Sequence, residues 1–184
     1  STTRGRLPHR AVLFAEDRDG YTALLDALAA DTGAPGLVRG VAGSGGKVAF
    51  VFPGQGPQWL GMAEQLLATS PVFRDSVEAC DAALRPLLGW SVTDVLRGTD
   101  PDRSLDDIAV VQPALFATMV SLAELWRHQG VEPAAVVGHS QGEVAAAYLA
   151  GGLTLADAAT VIAVRSRLLA ERGAQIAGAM VAVS

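Results

Sequence analysis

The sequence predicts an α/β protein with a mainly parallel sheet, and three observations carry that prediction. Short apolar runs suited to strands alternate with longer segments whose apolar residues repeat at helical spacing. The run Lys47 to Phe52 is continuously apolar after its lysine, as a parallel strand buried on both faces would be. Ala134 to Val137 reads as a second such strand and leads through a glycine-rich turn into a helix over Glu143 to Leu149. The chain has 184 residues, 50% hydrophobic and 18% charged, which suits one domain or part of a larger one.

Residues 1–46 differ from the rest. Arg10 to Phe14 reads as a short strand, and Tyr21, Leu24, Leu25 and Leu28 predict a helix over Gly20 to Ala30. Two glycine-rich stretches, 33–36 and 43–46, then break the pattern as loops do. This segment is expected to be a small α/β accessory unit joined to a main domain of residues 47–184. That domain opens with the strand ending at Phe52, followed by a loop over Pro53 to Pro57. Ser70 and Pro71 read as a helix cap and a first-turn proline, with Val72, Val77, Cys80 and Leu84 on the apolar side. A second helix is expected to start near Gln112 and Pro113. Its stripe is Leu115, Met119, Leu122 and Trp126, and Gly130 ends it. Thr154, three residues ahead of Asp157, predicts the cap of a last helix reaching about Arg172. Gly178 to Ser184 reads as a strand beginning.

Composition narrows the function. The formal net charge is -5, and no basic patch with interleaved aromatics argues for nucleic acid. Cys80 stands alone, so no disulfide framework or cysteine-based metal site is expected. No uninterrupted apolar run reaches membrane-spanning length, and no long apolar stretch follows the basic N-terminus as in a secretory signal. The cytoplasm is the expected location.

The chemistry centres on Gly138-His139-Ser140-Gln141-Gly142. A serine between a strand and a helix in this pattern sits on a tight bend that exposes its hydroxyl. The following helix turns its N–H groups and positive dipole end toward the same spot. That arrangement suits nucleophilic attack by Ser140 on a carbonyl. The alternative is a serine in a turn that merely ends a strand. A serine nucleophile normally needs a base, usually histidine. His139 adjoins Ser140, where neighbouring side chains in a tight elbow diverge, so it is read as orienting rather than as the base. His128 suits the carbonyl end of its helix, and His9 lies in the accessory segment. No histidine follows Ser140, so the sequence is expected to stop before the base.

The loop Pro53 to Gln58 follows the first main strand, where loops line the site in parallel α/β folds. The N–H groups of Gln55 and Gln141 are the candidate oxyanion donors. Arg165 follows four apolar residues on the last helix. Two readings stand for it: a bidentate hold on a substrate carboxylate, or an exposed or ion-paired arginine, which the spacing alone favours. Arg167 and Arg172 read as solvated, and Glu143 as a helix-dipole partner without a catalytic role.

Three stretches together resemble a known family: Val51 to Gln58 (VFPGQGPQ), Gln112 to Phe116 (QPALF) and Gly138 to Glu143 (GHSQGE). In this order they are similar to the acyltransferase domains of modular type I polyketide synthases, within the malonyl-CoA:acyl carrier protein transacylases. The resemblance covers about residues 47–184. Residues 1–46 look like the linker that joins a ketosynthase to the acyltransferase.

The resemblance implies a ping-pong reaction. Ser140 takes an extender acyl group from acyl-CoA and passes it to the phosphopantetheine thiol of an acyl carrier protein, with no tightly bound cofactor and no metal. It places Gln55 and Gln141 at the oxyanion positions and His139 beside the bound substrate. Arg165, 25 residues beyond Ser140, matches the arginine that binds the extender's free carboxylate. This disfavours a loading domain for simple monoacyl starters. Gln141 and the stretch Asp107 to Gln112 (DIAVVQ), including Val110, Val111 and Gln112, resemble domains that select methylmalonyl over malonyl, although Ala109 departs from the acidic residue usual there. The family fold is an α/β hydrolase-like core carrying a ferredoxin-like subdomain, most of which is expected to be absent. The competing expectations are a serine hydrolase such as a thioesterase, and a docking fragment without activity.

Overall fold

A computed structural model describes residues 7–43 and 45–173. The strand expected at Gly178 to Ser184 lies outside them. The chain divides into two compact units, the smaller ending at Lys47 and the larger beginning at Val48.

In the smaller unit, β1 (His9–Leu13) pairs antiparallel with β2 (Leu37–Val41), His9 opposite Val41 and Leu13 opposite Leu37. Helix α1 (Arg18–Ala29) connects them and starts two residues earlier than its apolar repeat suggests, because the Asp17 carboxylate accepts from the Gly20 N–H at 2.8 Å. Of its expected stripe only Leu24 is buried; Tyr21 and Leu25 are exposed. Strand β2 was not legible, since it is short, contains Arg39 and Gly40, and lies between two glycine-rich loops.

The larger unit is built on one parallel pair, β3 (Ala49–Phe52) beside β4 (Ala135–Gly138), in register from Ala49 opposite Ala135 to Phe52 opposite Gly138. Four helices separate the strands: α2 (Glu64–Thr69), α3 (Pro71–Leu88), α4 (Val92–Leu96) and α5 (Ile108–His128). Helices α6 (Gly142–Leu149) and α7 (Leu155–Gly173) follow β4. Helix α6 packs on both strands, and α3, α5 and α7 pack on one another. Phe52 is buried, while Val51 and Val137 are 68% and 58% exposed. The described helices therefore cover one sheet face, and the continuous burial expected of Lys47 to Phe52 is not observed: its residues alternate instead.

Helix α3 is capped as its sequence indicates. Ser70 Oγ accepts from the Phe73 N–H at 3.3 Å, and Pro71 fills the first turn. Phe73, Val77, Cys80 and Leu84 form its buried face, with Phe73 in the place expected of Val72. The buried Asp81 carboxylate then ties α3 to α4. It accepts from the Val92 N–H at 2.6 Å, Ser91 Oγ at 3.2 Å and Arg85 Nη2 at 2.7 Å.

Helix α5 corrects the start expected at Gln112 and Pro113. It begins at Ile108, where the Asp107 carboxylate accepts from the Ala109 N–H at 2.8 Å. Pro113 lies inside the helix rather than at its first turn. The missing N–H and ring clash disfavour that position, but residues 110–121 are all buried, and tertiary packing holds the helix through it. Leu115 and Met119 are buried as expected, whereas Leu122 and Trp126 are exposed. Helix α5 is long and apolar enough to cross a membrane, yet most of it is buried inside the protein. Ahead of α7, Thr154 Oγ1 accepts the Asp157 N–H at 3.1 Å, the cap its sequence signals, and donates to the Asp157 carboxylate at 2.6 Å.

Candidate active site

Three residues separate the end of β4 from the start of α6, and Ser140 is the middle one. Its φ of 54° lies in the left-handed region, which a side chain other than glycine rarely adopts. The glycines on either side show why the turn demands them. A Cβ on Gly138 would lie 2.3 Å from the Glu143 backbone, and one on Gly142 would lie 2.2 Å from the Phe52 carbonyl oxygen. The elbow is thus pressed against the end of β3. His139 N–H donates to that same Phe52 oxygen at 2.9 Å.

The start of α6 is tightened by short turns. Gly142 N–H donates to His139 C=O at 2.9 Å, and Glu143 N–H to Ser140 C=O at 3.2 Å. The N–H of Gln141 is left without an acceptor among the described residues, as is that of Gln55 in the loop after β3. The Gln141 side chain is buried with both amide atoms unpartnered among the described residues. Ser140 is exposed beside it. The His139 ring packs on the Gln55 loop, where a Cβ on Gly54 would lie 2.9 Å from its Nδ1.

The Ser140 hydroxyl has a cationic partner. Arg165 Nη2, from α7, donates to Ser140 Oγ at 3.0 Å, and Nη1 donates to Gln112 Oε1 on α5 at 2.5 Å. No carboxylate lies within 4 Å of the Arg165 side chain among the described residues, so the ion-paired reading of Arg165 does not hold there. A guanidinium never deprotonates at working pH, so it cannot serve as the base; it favours negative charge. Neither His9, His128 nor His139 hydrogen-bonds Ser140 among the described residues.

The structure therefore brings Ser140, Arg165 and Gln112 together; the Gln141 N–H lies on the same elbow, and the Gln55 N–H lies in the loop after β3, next to the glycine that meets the His139 ring. Val110 and Val111 are buried in α5 and make no polar contact with the site. Gln112 as the partner of Arg165 escaped the sequence reading, because 53 residues separate the two and no local pattern links them. An apolar groove of about 590 Å³ is lined mainly by β3, the loop after it and α5, with Phe50, Trp59, Met119 and Trp126 among its walls; Ser140 does not line it.

Residues 49–184 match the acyl transferase domain family. The chain belongs to that family. This acyl transferase chain is 57% identical over 169 residues to the polyketide synthase GfsA of Streptomyces halstedii, an overlap of 92% of the chain and 2% of that synthase. It superposes with a TM-score of 0.80 and 51% identity on the acyltransferase domain from module 8 of the salinomycin polyketide synthase, covering 92% of the chain and 40% of that domain. It is 60% identical, with a TM-score of 0.65, to a loading acyltransferase from the avermectin modular polyketide synthase, covering 67% of the chain and 39% of that structure. The acyl transferase chain thus spans well under half of the solved domains it resembles.

Proposed function

We propose that this chain carries the nucleophile and the carboxylate anchor of a polyketide synthase acyltransferase. The observation that carries the reading is the Arg165 guanidinium held on Ser140 Oγ with no carboxylate neutralising it among the described residues. Ser140 Oγ attacks the thioester carbonyl of an acyl-CoA, and its proton goes to a base. The tetrahedral oxyanion is received by the N–H groups of Gln55 and Gln141. Collapse expels the coenzyme A thiol and leaves an ester on Ser140. The phosphopantetheine thiol of an acyl carrier protein then attacks that ester and frees the serine. No tightly bound cofactor takes part.

Arg165 holds the free carboxylate of an extender unit, with His139 beside it. Methylmalonyl is the preferred extender and malonyl the second, from Gln141 and the stretch ending at Gln112. A single methyl changes pocket binding by only ~1–3 kcal/mol, so few residues need to differ. The avermectin relative is described as a loading acyltransferase; the unneutralised arginine is the reason this chain is read as selecting extenders instead. The base is a histidine from sequence that completes the family domain, whose full form is a hydrolase-like core with a ferredoxin-like subdomain. The 184 residues alone are expected to be inactive. The smaller unit is read as the linker to a ketosynthase, in a cytoplasmic synthase.

The test incubates the intact polypeptide that carries this chain with methylmalonyl-CoA and a phosphopantetheinylated carrier protein. The reading expects methylmalonyl on the carrier thiol. Free methylmalonate released at the same rate with and without carrier contradicts it and marks a hydrolase.

A further inference from the structure

We propose that Gln112 sets the preference of the site for carboxylated acyl groups, acting through Arg165. The inference rests on the acyl-transfer reading of Ser140 and Arg165. Gln112 is 3% exposed, on a helix that packs directly against α7. Its Oε1 accepts from Arg165 Nη1 while Nη2 of the same guanidinium donates to Ser140 Oγ. A long arginine side chain loses substantial rotamer entropy when it is fixed. The buried amide fixes it before any substrate arrives.

The identity of the acceptor matters as much as its position. An amide oxygen is a neutral acceptor, so it orients the guanidinium without cancelling its charge. Among the described residues no carboxylate lies within 4 Å to cancel it either. The full positive charge stays available for an incoming carboxylate. A glutamate at 112 would occupy the same volume, pair with Arg165, and repel that carboxylate. An apolar residue of similar size would leave the guanidinium free to swing away. Gln112 is in this sense a positioning residue, which selects substrate without touching it.

The test compares wild type, Gln112→Glu and Gln112→Leu in the intact polypeptide, with methylmalonyl-CoA and propionyl-CoA as donors that differ by one carboxylate. Acyl-Ser140 formation gives kcat and KM for each donor, and thermal melting identifies the folded variants. The methylmalonyl-to-propionyl ratio of kcat/KM is expected to fall about tenfold or more, chiefly through KM for methylmalonyl-CoA, the scale of one charge-assisted hydrogen bond. Should Gln112→Glu fail to fold, Gln112→Leu alone decides. A ratio within about threefold of wild type in the folded variants overturns the proposal. Wild type that forms no acyl-Ser140 from either donor overturns the acyl-transfer reading itself, and does so before any variant is compared.

Discussion

Arg165 Nη2 donates to Ser140 Oγ at 3.0 Å across 25 residues of chain, joining the last described helix to the elbow after β4. The contact sets the proposed nucleophile beside a guanidinium, and under the proposed function that guanidinium receives the negative charge of a substrate. Arg165→Ala is expected to lower acylation by methylmalonyl-CoA about 100-fold, while propionyl-CoA changes far less, since a bidentate charged pair is lost only for the carboxylated donor. Steady-state rates with the two donors measure this. A neutral-ester hydrolase would lose equally little with both.

The elbow depends on two glycines for lack of space rather than for flexibility. Gly142→Ala would put a methyl 2.2 Å from the Phe52 oxygen and 2.6 Å from the Pro53 oxygen, both rigid backbone. The expected cost is on the order of 3 kcal/mol or more, with displacement of the Gln55 loop and loss of acylation. Gly152→Ala, whose methyl meets only the Ala147 oxygen at 3.4 Å, is the control and is expected to stay within about 1 kcal/mol of wild type. Urea denaturation of the two variants gives the comparison.

Much of this site was readable from sequence, and the reasons differ by element. The strand, glycine-rich turn and helix around Ser140 are contiguous, so local rules identified them. The Ser70 and Thr154 caps were equally local. Pro113 misled because first-turn prolines are common, while the burial that carries α5 through it is a tertiary effect. Strand β2 lacked an apolar pattern because its residues are largely exposed. The bond from Arg165 to Gln112 joins two helices far apart in sequence, and no periodicity encodes such a pair.

Cys80 supplies a stability test outside the candidate active site. Burial, reinforced by the Asp81 and Glu124 charges, pushes its thiol from 9.0 up to about 12. The folded state keeps this proton after the unfolded chain has lost it, so the thiol's contribution is complete below pH 9 and declines as pH rises toward 12. The decline from this group alone is roughly 1 kcal/mol at pH 10. Urea denaturation at pH 8 and pH 10 is expected to show that loss in wild type and a smaller one in Cys80→Ala. An identical loss in both assigns the alkaline sensitivity elsewhere.

The most direct measurement is the mass of the peptide containing Ser140 after the intact polypeptide is mixed with methylmalonyl-CoA and quenched in acid. One methylmalonyl ester on Ser140 is expected, absent in Ser140→Ala and discharged on adding phosphopantetheinylated carrier protein. A peptide that stays unmodified, or a label that persists in Ser140→Ala, would contradict it.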